Sequence, residues 1–208
     1  MRVLGIDCGT EYTGYGIVDL LAGDVFPHCL PPDVLADRRK SRAESREPVG
    51  ESRKPEAESR DRLVFIACGA IHVPPREPMP ARLSRISRAI EDLIATHRPD
   101  RVAIEDVFYA VNVKSALKLG QVRGVAMLAA ASAGLEVSEY APLAIKSAVV
   151  GYGKAEKHQV QQMVARLLRL DKIPEPADAA DALAIAICHL HTAATLERQG
   201  SMRRVASR

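Results

Sequence analysis

Apolar residues run almost unbroken from Arg2 to Ile6, which predicts a short buried strand. Asp7 closes that run and the chain turns through Gly9-Thr10. Thr13 to Leu20 predicts a second strand, with Gly14 and Gly16 inside it, and the short gap makes a hairpin the economical connection. Leu63 to Val73 is a third run of β type. The period then changes. Between Met79 and His97, Leu83, Ile86, Ile90 and Leu93 or Ile94 recur at three and four, the spacing of one helix face. Val102-Ala-Ile104 predicts a fourth strand, ending in Glu105-Asp106. Asn112 to Ala133 predicts a long helix and Glu136 to Tyr140 a fifth strand. Helices follow at 142–149, 155–169 and 177–195. Three strands joined directly, then strands alternating with helices, predict an α/β fold: a mixed five-stranded sheet covered by helices.

Asp37 to Arg62 has neither period. It repeats Glu-Ser-Arg loosely, at Glu44–Arg46, Glu51–Arg53 and Glu58–Arg60, and holds nine basic and seven acidic residues. Such a segment buries too little surface to offset the entropy of ordering it. The expectation is an insertion over 23–62, disordered around 37–62, between the second and third strands. Its near-balance of charge favours a solvated loop over a nucleic-acid tether. The rest, 1–195, reads as a single domain, and 196–208 as a basic flexible tail. At 47% hydrophobic and 4% aromatic, with no Trp, the core must rest on Ala, Val, Ile and Leu. A net charge of +3 permits a polyanionic partner without demanding one. Cys8, Cys29, Cys68 and Cys188 lack a C-x-x-C spacing and read as small reduced thiols. Arg2 leads straight into a strand carrying Asp7, so no secretory signal is expected. Gly124 to Leu135, taken as the longest mostly apolar stretch, is too short to span a bilayer. A soluble cytoplasmic protein is expected, with no membrane partner.

The chemistry-bearing residues are mostly acids. Asp178 and Asp181 lie three apart in Pro174-Glu-Pro-Ala-Asp-Ala-Ala-Asp-Ala-Leu183, at the start of a predicted helix. Positions i and i+3 share a helix face, so the pair can hold a divalent metal. It can equally begin a helix, because Asp suits the positive N-terminus. Asp7 and Glu105 each close a predicted strand, a common place for a catalytic acid, and for Asp7 also for a turn. If the two strands are neighbours, four acids from three distant parts of the chain converge. Clustered carboxylates repel unless protonated or bridged by cations. Mg²⁺ or Mn²⁺ suits such oxygen ligands, and two ions can activate a water and stabilise a leaving oxygen. Lys146 and Lys157 flank Val149-Val-Gly-Tyr-Gly-Lys154, where Gly151 and Gly153 could present N–H groups to a phosphate at a helix start. Phe108 and Tyr109 could stack on bases or simply pack. Gly120 and Gly124 inside a helix call for a close neighbour, either within the subunit or across a dimer seam.

Several blocks of the chain together resemble the RuvC family of crossover-junction (Holliday junction) endodeoxyribonucleases. They are Leu4-Gly-Ile-Asp-Cys-Gly-Thr10 with Thr13-Gly-Tyr-Gly16, Ile104-Glu-Asp-Val-Phe108 and Ser115-Ala-Leu-Lys-Leu-Gly-Gln121. Val149-Val-Gly-Tyr-Gly153 with Ala155-Glu-Lys157, and Ala177-Asp-Ala-Ala-Asp-Ala-Leu-Ala-Ile-Ala186, complete the set. The resemblance implies an RNase H-like fold, a homodimer and a divalent-metal nuclease site on Asp7, Glu105, Asp178 and Asp181, with Mg²⁺ or Mn²⁺ and two ions per subunit. It implies phosphate-region lysines at Lys146 and Lys157, a junction-probing aromatic at Phe108 and a dimer helix bearing Gly120 and Gly124. The implied substrate is four-way junction DNA, nicked symmetrically to leave 5′-phosphate and 3′-hydroxyl ends, and the implied partners are the branch-migration proteins RuvA and RuvB. Cys8 stands where the family usually has Pro, which opens the site to thiol oxidation. The charged insertion is the larger departure. Two rival readings remain at this point: an actin-like kinase or ATPase, from Gly5-Ile-Asp-Cys-Gly-Thr10, and a junction-binding scaffold without activity.

Overall fold

The computed structural model describes residues 1–21, 61–106 and 113–206. The expectations for the charged insertion, Phe108 and Tyr109 lie outside those residues, apart from Asp61 and Arg62. The chain divides into two units: Met1–Leu20 with Leu63–Arg208, and Leu21–Arg62. The first carries the fold and is described below. The second falls almost wholly among residues not described.

The elements are β1 (Arg2–Asp7), β2 (Tyr12–Leu21), β3 (Arg62–His72), α1 (Met79–His97), β4 (Arg101–Glu105), α2 (Val113–Ser132), β5 (Glu136–Tyr140), α3 (Pro142–Val150), α4 (Lys157–Leu168) and α5 (Ala177–Ala206). The sheet order is β3-β2-β1-β4-β5. β1 and β2 are an antiparallel hairpin in which Asp7 faces Gly14. β4 lies parallel to β1, and β5 parallel to β4 with Glu105 opposite Tyr140. Asp7 and Glu105 therefore stand side by side at the C-terminal ends of neighbouring parallel strands in the middle of the sheet.

Side chains alternate between the faces of the sheet, and the two faces carry different helices. Leu4, Ile6, Ile17, Val102 and Ile104 pack with Ile86 and Ile90 of α1 and with Val122 and Ala126 of α2. Val3, Val18 and Ala103 pack with α3, α4 and α5 through Ile145, Val160, Leu183 and Ile187. By the same alternation Asp7, in step with Val3, and Glu105, in step with Ala103, project to the α5 face.

α5 differs from expectation at its far end. It continues to Ala206, through the stretch read as a flexible tail. It also contains the longest apolar segment. Ala177–Leu196 is a 20-residue helix with mean hydropathy 1.3, longer than the expected Gly124–Leu135. Length and composition would let it cross a membrane, but here 61% of the apolar window is buried inside the protein. Its apolar character belongs to the core: Ala179 through Leu190 is buried apart from Asp181.

Candidate active site

Three glycines bring α5 down onto the sheet. A Cβ on Gly5 would collide with the Ala182 carbonyl and Ala186, one on Gly16 with Leu183, and one on Gly14 with the Asp178 carbonyl. The small residues of α5 complete the fit, and the helix runs along β1 closely enough to deliver its first turn beside Asp7. The result is a tight cluster: one carboxylate oxygen each from Asp7, Asp178 and Asp181 lies within 4.8 Å of the others. Asp178 and Asp181 share the helix face that their spacing predicted. Glu105 stands just outside this trio. It lines a cleft of about 210 Å³ with Asp181, Lys146 and Lys157, walled by Ile145 and Val160.

The electrostatics follow from burial and crowding. Burial pushes the Asp7 carboxyl up to about 7, helped by the charges of Asp181, Glu105 and Asp178 and opposed by Lys157. Glu105 is raised too, by burial and then by Asp181, with Lys146 and Lys157 pulling the other way. Carboxylates so placed favour a cation, since it would relieve both burial and repulsion. The donors are all hard oxygens, which fits a divalent ion of the Mg²⁺, Mn²⁺ or Ca²⁺ kind. Lys157 supplies part of that positive charge itself. Its Nζ lies 2.6 Å from Asp181 Oδ2, and this hydrogen bond raises the Lys157 ammonium above its usual value.

The glycine loop does not lie at a helix start. Gly151 ends α3 in the left-handed conformation (φ 81°), and its N–H donates to the Ser147 carbonyl. Gly153 packs on Ser147 and the Leu143 carbonyl. α4 begins only at Lys157, capped by Glu156, whose carboxylate accepts the Gln159 N–H while the Gln159 side chain returns to the Glu156 N–H. An acid already occupies that helix N-terminus, so the phosphate cradle expected there is replaced by a capping box. Lys146 and Lys157 carry the positive charge of the cleft instead.

A Cβ on Gly120 or Gly124 would meet nothing within 4 Å, and both residues are exposed. Among the described residues no close helix accounts for them. Cys8 also departs from expectation. Burial, then the charge of Asp7, pushes its thiol up to about 12. The thiolate is the form that oxidises, so this site does not favour the oxidation anticipated from sequence. Sequence reasoning missed the roles of Gly5 and Gly14 as a bed for α5. The available signal was Ala182 and Ala186, small residues one turn apart on α5 that meet Gly5 on β1. It also missed Arg123, whose guanidinium bridges Asp106, at 3.1 Å, and Glu139, anchoring the end of β4 to α2.

A carboxylate trio where α5 meets the end of the central strand β1, flanked by lysines and open to a cleft, defines a metal-dependent phosphodiester hydrolase of RNase H-like build. A family model described as "Crossover junction endodeoxyribonuclease RuvC" matches residues 56–189. A crossover junction endodeoxyribonuclease RuvC of Koribacter versatilis is 56% identical over 198 residues, 95% of this chain and 97% of that one. One from Acidobacterium capsulatum is 50% identical over 201 residues, covering 97% and 99%. A solved structure of Thermus thermophilus RuvC in complex with Holliday junction substrate superposes with a TM-score of 0.70 at 26% identity, covering 94% of this chain and 96% of that one. The chain belongs to the RuvC family of crossover junction endodeoxyribonucleases. The kinase or ATPase reading gains no support: the family model and the relatives are crossover junction endodeoxyribonucleases.

Proposed function

We propose that this chain is a Holliday junction resolvase acting in DNA recombination and repair. Working as a homodimer in the cytoplasm, it nicks two strands of like polarity in a four-way DNA junction. The cuts are related by the twofold axis and leave 5′-phosphate and 3′-hydroxyl ends. The observation that carries the reading is the cluster of Asp7, Asp178 and Asp181 oxygens within 4.8 Å of one another. These three would hold Mg²⁺, or Mn²⁺, as two ions per subunit, with Glu105 at the margin. Bound there, the ions supply an activated water and neutralise charge on the cleaved phosphate.

The chain's own residues do the positioning. β1 and β4 fix Asp7 and Glu105 side by side on rigid strands. Lys157 pairs with Asp181, and this hydrogen bond would give way if Asp181 turned to hold an ion. Lys146 lines the same cleft and opposes the negative charge gathering there. Ile145, Val160 and Ile185 form an apolar wall that strengthens these interactions by excluding water. Phe108 would be the aromatic that probes the junction, as the family resemblance implies. α2 supplies the dimer seam: Val113, Leu117 and Leu128 are 74%, 65% and 66% exposed, and with Gly120 and Gly124 they recur at three and four along one helix face. RuvA and RuvB are the partners that bring the junction to it.

Asp7→Asn is the direct test. It should reduce nicking of a synthetic four-way junction by at least about a thousandfold while junction binding in a gel-shift assay persists. Full cleavage by this variant in Mg²⁺ would refute the assignment of Asp7. Binding without cleavage by the unaltered protein would leave an inactive scaffold as the better reading.

A further inference from the structure

We propose that Tyr12 and His72 form a stacking platform for an unpaired base of the strand being cut, beside the scissile phosphate. This deepens the resolvase reading and rests on it. The two rings stack with centroids 4.7 Å apart and planes 28° from parallel. Tyr12 is 45% exposed and His72 is exposed, so the pair adds little to the core. What distinguishes it is position.

Tyr12 is in step with Gly14 and Gly16, whose missing side chains face α5. His72 is in step with Cys68, which packs with the α5-side core. The platform therefore stands on the same face as the acids. Gly14 is the register partner of Asp7, and Tyr12 lies two residues further along β2, roughly 7 Å. β2 and β3 lie on one side of β1, while β4, Lys146 and Lys157 lie on the other. A strand whose phosphate sits at the acids thus meets cationic side chains in one direction and an aromatic stack in the other. Glu11 is exposed next to Tyr12, which disfavours a phosphate there and favours a base. Stacking needs only a π-face, so the platform accepts any base whose partner has opened near the crossover.

The experiment measures steady-state nicking of a synthetic four-way junction by the full chain with Mg²⁺, alongside fluorescence of 2-aminopurine placed in turn at each nucleotide flanking the cut phosphate. Fluorescence is read on binding in metal-free buffer. Tyr12→Ala should raise KM about tenfold or more, with kcat changed far less and thermal unfolding unaltered. Tyr12→Phe should behave as the unaltered protein, and His72→Ala should fall between. The unaltered protein and Tyr12→Phe should quench 2-aminopurine at a flanking position that Tyr12→Ala leaves bright. Equal quenching by Tyr12→Ala, whatever its KM, overturns the platform, and so does a fall in kcat with quenching unchanged. If the unaltered protein binds and cuts, such a result removes the platform alone; if it does neither, the resolvase reading falls and the platform with it.

Discussion

Asp7 concentrates the energetic tension of the molecule. Its carboxyl is held at about 7 against an ordinary value of 3.8, chiefly by burial and then by three neighbouring acids. Between about pH 4 and 7 the folded protein keeps a proton that the unfolded chain has released. Stability from this group therefore falls as pH rises through that window, and the full cost, on the order of 4 kcal/mol, stands above pH 7. A divalent cation reverses the balance, since it binds the ionised form. Thermal unfolding should show Mg²⁺ raising Tm more at pH 8 than at pH 5.5, where the ion must first displace a proton. Equal stabilisation at the two pH values would remove Asp7 from the ligand set. Asp7→Asn should raise the metal-free Tm at pH 8, by about 2–4 °C for each kcal/mol of that cost it removes, and flatten the metal response. Loss of activity with gain of stability is the expected signature of a site strained for function.

At the scale of elements, the acids are only as good as the fit of α5 against β1 and β2. Gly14 is the critical point, because it sits opposite Asp7 and beneath the Asp178 backbone. Gly14→Ala should push the first turn of α5 away from the sheet, costing about 1–3 kcal/mol and weakening metal binding together. Calorimetric titration with Mn²⁺ and denaturant unfolding would show both; an unchanged affinity would separate the glycine bed from site assembly. The ten elements were legible in the sequence, α1 from its period and the others from apolar runs bounded by turns, although α5 runs past its expected end at residue 195 to Ala206. The convergence of Asp7 with Asp178 and Asp181 followed from strand ends and helix phase. What periodicity could not reveal was the approach distance of α5, which depends on absent side chains at Gly5, Gly14 and Gly16. Nor could it show that Glu156 caps α4 and so withdraws that helix start from phosphate binding. The glycines read there as flexible are spent on closing α3 and packing against it.

At the scale of the whole molecule, a face of α2 is left uncovered by the described residues. Along α2, Val113, Leu117 and Leu128 stand exposed, and Gly120 and Gly124 between them meet nothing among the described residues. Glycine in a helix interior costs on the order of 1 kcal/mol against alanine, a cost without return in an isolated subunit. A second copy packed on this face would use it, because absent side chains let two backbones approach while the flanking leucines and valine bury their surface. On the proposed function the cluster on each subunit would hold the acids for one cut, so paired nicks would require two subunits held at a fixed spacing. Leu117→Glu with Leu128→Glu should place charge at the seam and convert the protein to monomer in sedimentation equilibrium. The folded core, on the far side of α2, should persist by circular dichroism. Such a monomer should lose the coupling between the two nicks while keeping metal binding at its own acids. A variant that stays dimeric and cuts both strands together would place the seam elsewhere.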